Sequence, residues 1–347
     1  MPGQEKSELT VVLGAMTFGS AGLNSGSVRV SDLKEVEKII DVFQAHSHVE
    51  VDTARVYNKG TSEEYLGKLN WQARGLVVET KLYPSVAWFK PGAANPAGAD
   101  IPITHSPEDL RTHLDASLKA LKADHVELWY LHGPDRTTPY EVTFKAINDL
   151  HKEGKFKRLG LSNYLSWEVA EIVQICKANG WIQPTVYQGV YNAIHRSVEP
   201  ELFRCLRKFG ISFYAYNPLG GGFFTGRYTG LESSAEPGSR FDTTMAMGKM
   251  YRARYWNDTY FAALAAIQKA GQENGGLTLT EIALRWMNHH SQMKREFSDA
   301  IIIGASSLKH IQENMEDLEK GPLPEPVVKA LDEAWLSVKG HASGYWH

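Results

Sequence analysis

VDTARVYNKGTSEEYLG, residues 51–67, is the stretch from which the rest of the chain is read. An apolar run through Val49 and Val51 reaches an acid, Asp52, and the phenol of Tyr57 follows a few residues later. Lys59-Gly60 marks a turn, and Thr61 stands three residues ahead of Glu64, the capping-box spacing of a helix start. A strand that ends in an acid and passes through a short loop into a helix is one βα unit. The capping spacing alone says only that a helix begins.

The same unit recurs outward in both directions. Upstream, an N-terminal piece ends in GAMTFG, and Leu33, Val36, Ile39, Ile40 and Phe43 keep helical spacing within 31–43, ahead of a strand near 48–52. Downstream come a helix near 62–70 and a strand near 76–80. Residues 106–122 read as a helix with Pro107 at its first position and Ser106/Asp109 at capping-box spacing. VELWYL (126–131) is a strand, and Thr138-Pro139 with Glu141 caps a helix running to about Lys152. Then follow strand 157–162, helix 167–178, strand 185–188, helix 199–208 and strand 211–216. An irregular segment from Asn217 to about Asn257 interrupts the rhythm before helices near 259–272 and 279–290, a strand at 300–303, and helices near 307–319 and 325–338.

Regular βα alternation implies a parallel sheet, and about eight units in one unbroken run imply an α/β chain closed as a (β/α)8 barrel. A doubly wound sheet would bring a glycine-rich first turn. GAMTFG lacks it, and GGGFFTG at 220–226 comes too late and is wrongly spaced. Such barrels take about 250 residues. The surplus of this 347-residue chain falls to an N-terminal arm, a Pro/Gly/Ala loop at 88–105, the 217–257 loop and the C-terminal helix. Residues 1–347 read as one domain.

Composition narrows the functional classes. Hydrophobic residues make up 43% and charged residues 22%, with a net charge of -3 and no acidic or basic block, so nothing points to nucleic acid. Cys176 and Cys205 are too few for a disulfide framework and read as reduced thiols. MPGQEKSELT has no apolar segment of signal-peptide length, and no run approaches the ~20 residues of a membrane span. Cytoplasm is the expected location. No metal site is read.

In a barrel of this kind chemistry gathers at the C-terminal ends of the strands. Those ends are Asp52 with Tyr57, Lys81, His132, Ser162-Asn163, Gln188, Tyr216 and Gly304, polar almost throughout although each closes an apolar run. A tyrosine with a pKa near 10 is a poor acid at neutral pH. A nearby ammonium lowers that pKa, and a carboxylate can hold the ammonium in place; Lys81 and Asp52 are the right types. His132 could orient a carbonyl oxygen by a hydrogen bond. Singly, Asp52–Lys81 reads as a structural ion pair, His132 as a satisfied buried imidazole and Tyr57 as a loop tyrosine. Together at successive strand ends they suit proton delivery to a carbonyl that becomes an alkoxide. Asn163 and Gln188 offer amides that could grip a carboxamide, and Tyr216 a face for a ring. IIIGASSLKHIQEN is a strand, a small-residue turn and a helix whose first N–H groups, with Ser306, Ser307 and Lys309, suit a phosphate.

DTARVYNKGTSEEYLG, TKLYP, YLHGPD, GLSNY, YQGVYN, YNPLGGGFFTGRY and GASSLKHIQEN resemble, in order, the signature segments of the aldo-keto reductase superfamily. HKEGKFKRLGLSNYLSWEVAEI, CKANGWIQPTVYQGVYNA, FGISFYAYNPL, ALRWMNHHS and EKGPLPEPVVKALDEAW resemble its aflatoxin-aldehyde and succinic-semialdehyde reductase branch. The resemblance implies a tetrad of Asp52, Tyr57, Lys81 and His132, with Tyr57 the general acid, and hydride delivery from NADPH without a Rossmann fold. It implies Met16, Asp52, Ser162, Asn163 and Gln188 about the nicotinamide, with Tyr216 stacked on it. Asn217, Pro218, Leu219, Gly220, Gly222, Thr225, Arg227 and Arg240 would line the pyrophosphate. Gly304, Ser306, Ser307, His310, Gln312, Glu313 and Asn314 would line the adenosine 2′-phosphate end.

Tyr57 and His132 would face the substrate, with Arg254 and Tyr251 of YRARYW holding its carboxylate. Two departures stand out. The sequence ends Tyr345-Trp346-His347 where the branch is similar to a chain ending in arginine, so one of two carboxylate clamps is expected to be missing or weakened at His347, since a partly protonated imidazole does not replace a bidentate guanidinium. His310 stands where many members place an arginine on the 2′-phosphate. The resemblance suggests a homodimer acting on a small aldehyde. Two rivals stay open: a reductase or dehydrogenase of a sugar, polyol or secondary-metabolite carbonyl, and a cofactor-binding subunit resembling the channel-associated β subunits. A purely structural role, as in lens-type recruitment, is a third.

Overall fold

The computed structural model describes residues 7–22, 27–86 and 102–347. Eight parallel strands close on themselves in chain order: β1 (Thr10–Gly14), β2 (Glu50–Asp52), β3 (Val77–Leu82), β4 (Val126–Leu131), β5 (Phe156–Ser162), β6 (Pro184–Val190), β7 (Ser212–Tyr216) and β8 (Ala300–Gly304). The N-terminal piece supplies β1, which closes the ring by pairing Thr10 with Ala300 and Gly14 with Gly304. The expected (β/α)8 barrel is the observed architecture.

Side chains alternate across each strand, and the two faces have different fates. Val11, Leu13, Val51, Val78, Leu82, Leu159, Leu161, Tyr187 and Phe213 point outward into the main core beneath the helices. Val12, Leu128, Tyr130, Val186, Tyr214, Ala300 and Ile302 pack inside the barrel. Room for the Tyr130 ring comes from Gly160 opposite, where an added Cβ would lie 2.2 Å from Tyr130 Cδ1.

The outer layer is α1 (Leu33–Ala45), α2 (Thr61–Lys68), α3 (Pro107–Leu121), α4 (Tyr140–Lys152), α5 (Ser166–Asn179), α6 (Leu202–Phe209), α7 (Ala246–Tyr255), α8 (Asp258–Glu273), α9 (Leu279–His289), α10 (Leu308–Glu319) and α11 (Glu325–Val338). α11 packs against α8. Among the described residues no helix is long and apolar enough to cross a membrane.

Several local expectations are corrected. The 217–257 segment is not irregular throughout, because α7 occupies Ala246–Tyr255; only a short apolar stripe marks that helix in sequence. α6 begins at Leu202 rather than Glu199. Thr61 lies inside α2, not before it: the cap position is Gly60, at φ 90°, and the Thr61 hydroxyl donates to Asn58 O at 2.9 Å. Pro139 rather than Thr138 caps α4, and Thr138 donates instead to Asp135 Oδ2 at 2.7 Å. The Ser106 cap forms, accepting from Asp109 N at 3.2 Å, while the Asp109 carboxylate turns back to Thr104 N. Within the 88–105 loop, residues 88–101 lie outside the described residues.

Candidate active site

The C-terminal mouth of the barrel brings Asp52, Tyr57, Lys81 and His132 together. Lys81 is fully buried, and its ammonium donates to Asp52 Oδ1 at 2.6 Å, to Asp52 Oδ2 at 2.7 Å and to Thr53 O at 2.7 Å. Burial pulls the lysine pKa down, but Asp52 and Tyr57 outweigh it and hold the ammonium above its ordinary value. Gln188 Nε2 donates to Asp52 Oδ1 at 2.9 Å, fixing the acid from the opposite wall. Gln188 lies two residues inside β6 rather than at its end.

Tyr57 is carried by a turn in which Asn58 (φ 52°), Lys59 (φ 56°) and Gly60 (φ 90°) are all left-handed. Asn58 stabilises that turn, its amide nitrogen donating to Met16 O at 2.9 Å and Phe18 O at 2.7 Å. At Gly60 a Cβ would lie 1.8 Å from the Arg55 guanidinium, which pairs with the buried Glu63. The Lys81 ammonium sits 4.9 Å from the centroid of the Tyr57 ring. The expectation of a lowered phenol pKa is corrected here. Burial raises it above 10.0, and the opposing pull of Lys81 does not overcome that burial. The phenol therefore keeps its proton at neutral pH.

His132 follows β4, its backbone N–H donating to Leu82 O at 2.8 Å. Its ring stands edge-on to Tyr57 and, at 5.4 Å between centroids, to Tyr83. Burial, then the charge of Lys81, then His347 hold its pKa well below 6.5, so the imidazole is neutral. Its Nδ1 is buried without a hydrogen-bond partner among the described residues.

The flanking polar groups are already engaged. Asn163 Nδ2 donates to His132 O at 2.8 Å and to Ser162 Oγ at 3.0 Å, while its Oδ1 accepts from Tyr216 OH at 3.0 Å. The nitrogens of Asn163 and Gln188 are thus turned to the protein, and their carbonyl oxygens are what they can offer to a bound group. After β7, Asn217 is left-handed (φ 69°), and Gly220 and Gly222 follow in the same region. Asn217, Pro218 and Leu219 lead into a 3-10 turn over Gly220–Thr225, where Thr225 Oγ1 donates to Gly222 O at 2.6 Å.

Beyond this turn Arg227 pairs with Glu236 at 2.9 Å. Arg240 reaches no carboxylate among the described residues; its guanidinium rests on Met247 Sδ at 2.7 Å and Met16 Sδ at 3.1 Å, both weak acceptors. At the start of α10, after Gly304, Ser307 caps His310 N and Ser306 Oγ meets His310 Nδ1 at 2.8 Å. Burial and the Arg227 charge lower the His310 pKa. Glu313 pairs with Lys309 at 3.5 Å, Asn314 is buried, and Gln312 is exposed.

Arg254 lies over the Tyr251 ring, 5.9 Å from its centroid. Burial opposes its charge, but Tyr255, Tyr216 and Tyr251 hold its pKa above the ordinary value, and among the described residues no carboxylate pairs with it. His347 packs against Tyr83 at 5.7 Å between centroids. Burial, with the charges of Arg254 and Arg136, lowers its pKa to about 4, so it is a neutral wall rather than a second clamp. The segment carrying it is tied down by Arg136 Nη1 to His347 O at 3.2 Å and by Tyr345 OH to Glu201 Oε1 at 2.5 Å.

Three groups here escape a reading of strand ends. Tyr83 stands two residues past Lys81, within the quoted TKLYP. Arg136 stands just beyond YLHGPD, but its partners come from α5 and from residue 347, which no local pattern announces. Glu79, buried in VVETKL two residues before Lys81, is visible as a charge inside an apolar strand.

A family model described as "Aldo/keto reductase family" matches residues 10–336. An aldo-keto reductase of Pseudocercospora fijiensis is 47% identical over 308 residues, covering 89% of this chain and 100% of that one. The aldo-keto reductase pigE of Monascus ruber is 43% identical, covering 99% of this chain and 98% of its own. Aflatoxin B1 aldehyde reductase member 2 of Homo sapiens is 42% identical, covering 96% of this chain and 89% of its own.

Proposed function

The chain belongs to the aldo/keto reductase family, and on that premise we propose that it reduces aldehydes to alcohols with NADPH, Tyr57 supplying the proton. One observation carries the reading: the Tyr57 phenol ring lies beside an ammonium that is itself clamped by Asp52, with the His132 imidazole edge-on to it. When bound, the nicotinamide cofactor supplies the hydride. Tyr57 gives its proton to the carbonyl oxygen as that oxygen gains charge. The phenolate left behind is stabilised by Lys81, whose own charge Asp52 holds in place. His132, neutral and fixed between Tyr57 and Tyr83, aligns the carbonyl oxygen through its ring N–H.

The residues fit such a cofactor. Arg240 is a cation that meets two thioethers and the Tyr251 ring but no carboxylate among the described residues, Gly221 and Gly222 are partly exposed, and α10 opens with two serines and His310. In this reading Asn163 and Gln188 accept hydrogen bonds from the carboxamide, Tyr216 stacks on the ring, and Arg240 holds the pyrophosphate. Ser306, Ser307 and His310 take the 2′-phosphate. Aldehydes that carry a carboxylate are the substrates that best match Arg254, a buried cation among aromatic rings with no acidic partner among the described residues.

The test is NADPH oxidation followed by absorbance, with succinic semialdehyde, an aromatic aldehyde and an aldose in parallel. Preference for the semialdehyde is expected. Preference for the neutral aldehydes would remove Arg254 from substrate binding, and no turnover on any aldehyde would overturn the enzymatic reading.

A further inference from the structure

Inside the barrel, directly below Lys81, lies a carboxyl that the proton-transfer scheme does not use. Glu79 is 1% exposed and shares the inner face of β3 with Lys81. Its Cα pairs in register with Asp52 on β2 and with Leu128 on β4. Tyr130 OH donates to Glu79 Oε2 at 3.0 Å, and the ring of the same tyrosine lies 5.8 Å from the Lys81 ammonium. The Tyr130 ring occupies the space that Gly160 leaves on the neighbouring strand.

The charged and titratable groups facing Glu79 come from each polar strand of the interior. β2 brings Glu50 and Asp52, β3 Lys81, β4 Tyr130, β5 Arg158 and β7 Tyr214, whose hydroxyl donates to Glu50 Oε2 at 3.1 Å. The strands β1, β6 and β8 present Val12, Val186, Ala300 and Ile302. Fully ionised, the carboxyls of Glu50, Asp52 and Glu79 would face two cations among the described residues, Lys81 and Arg158. Buried charge of one sign is costly, so one carboxyl keeps a proton. Asp52 is claimed by Lys81 and Gln188, and Glu50 is only partly buried, which leaves Glu79 as the holder. Burial and the charges of Glu50 and Asp52 raise its pKa well above the usual carboxyl range, and Lys81 feels it in return.

We propose that Glu79 is a positioning residue for the reduction, acting through Lys81 to fix the alkaline end of the working range. With its proton on, Glu79 leaves the lysine charge to Asp52 and Tyr57, which favours release of the Tyr57 proton during the reaction. As pH rises and Glu79 ionises, the second carboxylate beneath Lys81 raises the proton affinity of the ammonium and weakens its pull on the phenol, so Lys81 and Tyr57 both keep their protons to higher pH. The inference rests on Tyr57 as the acid.

Glu79→Gln keeps the size and polarity of the side chain and removes its ability to ionise. The expected result is a near-normal kcat at neutral pH, with the alkaline limb of the reduction moved down by about one pH unit. NADPH affinity, read by fluorescence quenching, should stay within about twofold. Glu79→Asp, which restores a carboxyl, should move the limb back. An unmoved limb overturns the proposal, and so does a uniform loss of kcat across pH, which is what a purely structural role would give. The ultraviolet phenolate titration of the same proteins, with Tyr57→Phe subtracted, reads the shift without turnover. If the unmodified protein reduces no aldehyde, the functional reading fails while this titration still decides the role of Glu79.

Discussion

The rings of Tyr57 and His132 meet edge to face, centroids 5.7 Å apart and planes at 80°. This contact sets the Tyr57 phenol against a neutral imidazole, with the Lys81–Asp52 pair as its charged neighbours. Tyr57→Phe removes only the hydroxyl and leaves the ring packing intact. Aldehyde reduction should fall by about 10²–10⁴-fold, with NADPH affinity nearly unchanged. Steady-state turnover and fluorescence titration check both halves, and wild-type turnover in the variant would remove Tyr57 from its role.

Arg254 should discriminate by substrate charge. A charge-assisted hydrogen bond contributes about 1.5–3 kcal/mol. Arg254→Ala is therefore expected to raise KM for succinic semialdehyde by about 10–100-fold while sparing an uncharged aromatic aldehyde. An equal effect on both would mean that the arginine shapes the pocket rather than reads a carboxylate.

Arg240 rests on sulfur, so an anion should draw it off at little cost. Arg240→Leu is expected to weaken NADPH binding by about tenfold or more, with kcat at saturating cofactor largely retained. Cofactor titration at two salt concentrations gives a second reading: the loss should shrink as salt rises.

Acid should destabilise the fold through buried imidazoles. His105 is 1% exposed, and burial, opposed only in part by Asp135 and Asp109, lowers its pKa from 6.5 to about 4. A depressed folded-state pKa means that the unfolded chain binds the proton first. The stability from neutral His105 is thus complete above 6.5 and is lost as pH falls from there through about 4. The full loss is about 3 kcal/mol. Urea unfolding at a series of pH values should show it, and His105→Asn should flatten that slope.

Gly160→Ala should damage the barrel interior. Its new methyl would lie 2.2 Å from Tyr130 Cδ1, and overpacking of this kind costs about 1–3 kcal/mol. Thermal unfolding would register the loss.

The architecture and the gathering of Asp52, Tyr57, Lys81 and His132 at one mouth are legible because each rests on local pattern. Apolar runs of strand length end in Asp52, Lys81 or His132, and a βα rhythm needs only its period to be counted. What escapes depends on partners far away in sequence. Thr61 and Thr138 have the chemistry of caps, but Asn58 O and Asp135 offer them better use. α7 is short and only weakly amphipathic, so its pattern does not stand out from the loop around it. The engagement of Asn163 and Gln188 follows from Tyr216 and Asp52, 53 and 136 residues away. The phenol pKa is missed for a related reason: proximity of Lys81 is readable from strand order, whereas the degree of burial that outweighs it depends on the whole mouth.

Closure of the ring has a consequence for how activity appears as the chain is made. β1 holds no partner on one side until residues 300–304 exist to pair with Thr10–Gly14, and Thr17 Oγ1 likewise waits for Ala305 O at 2.6 Å. The turn that carries Tyr57 leans on the same N-terminal segment, through Asn58 to Met16 O and Phe18 O. Contacts of such long sequence separation form late in folding. A nascent chain released short of β8 would hold Asp52, Tyr57, Lys81 and His132 and still lack the support that fixes the Tyr57 turn, so the mouth is assembled late rather than piece by piece with length.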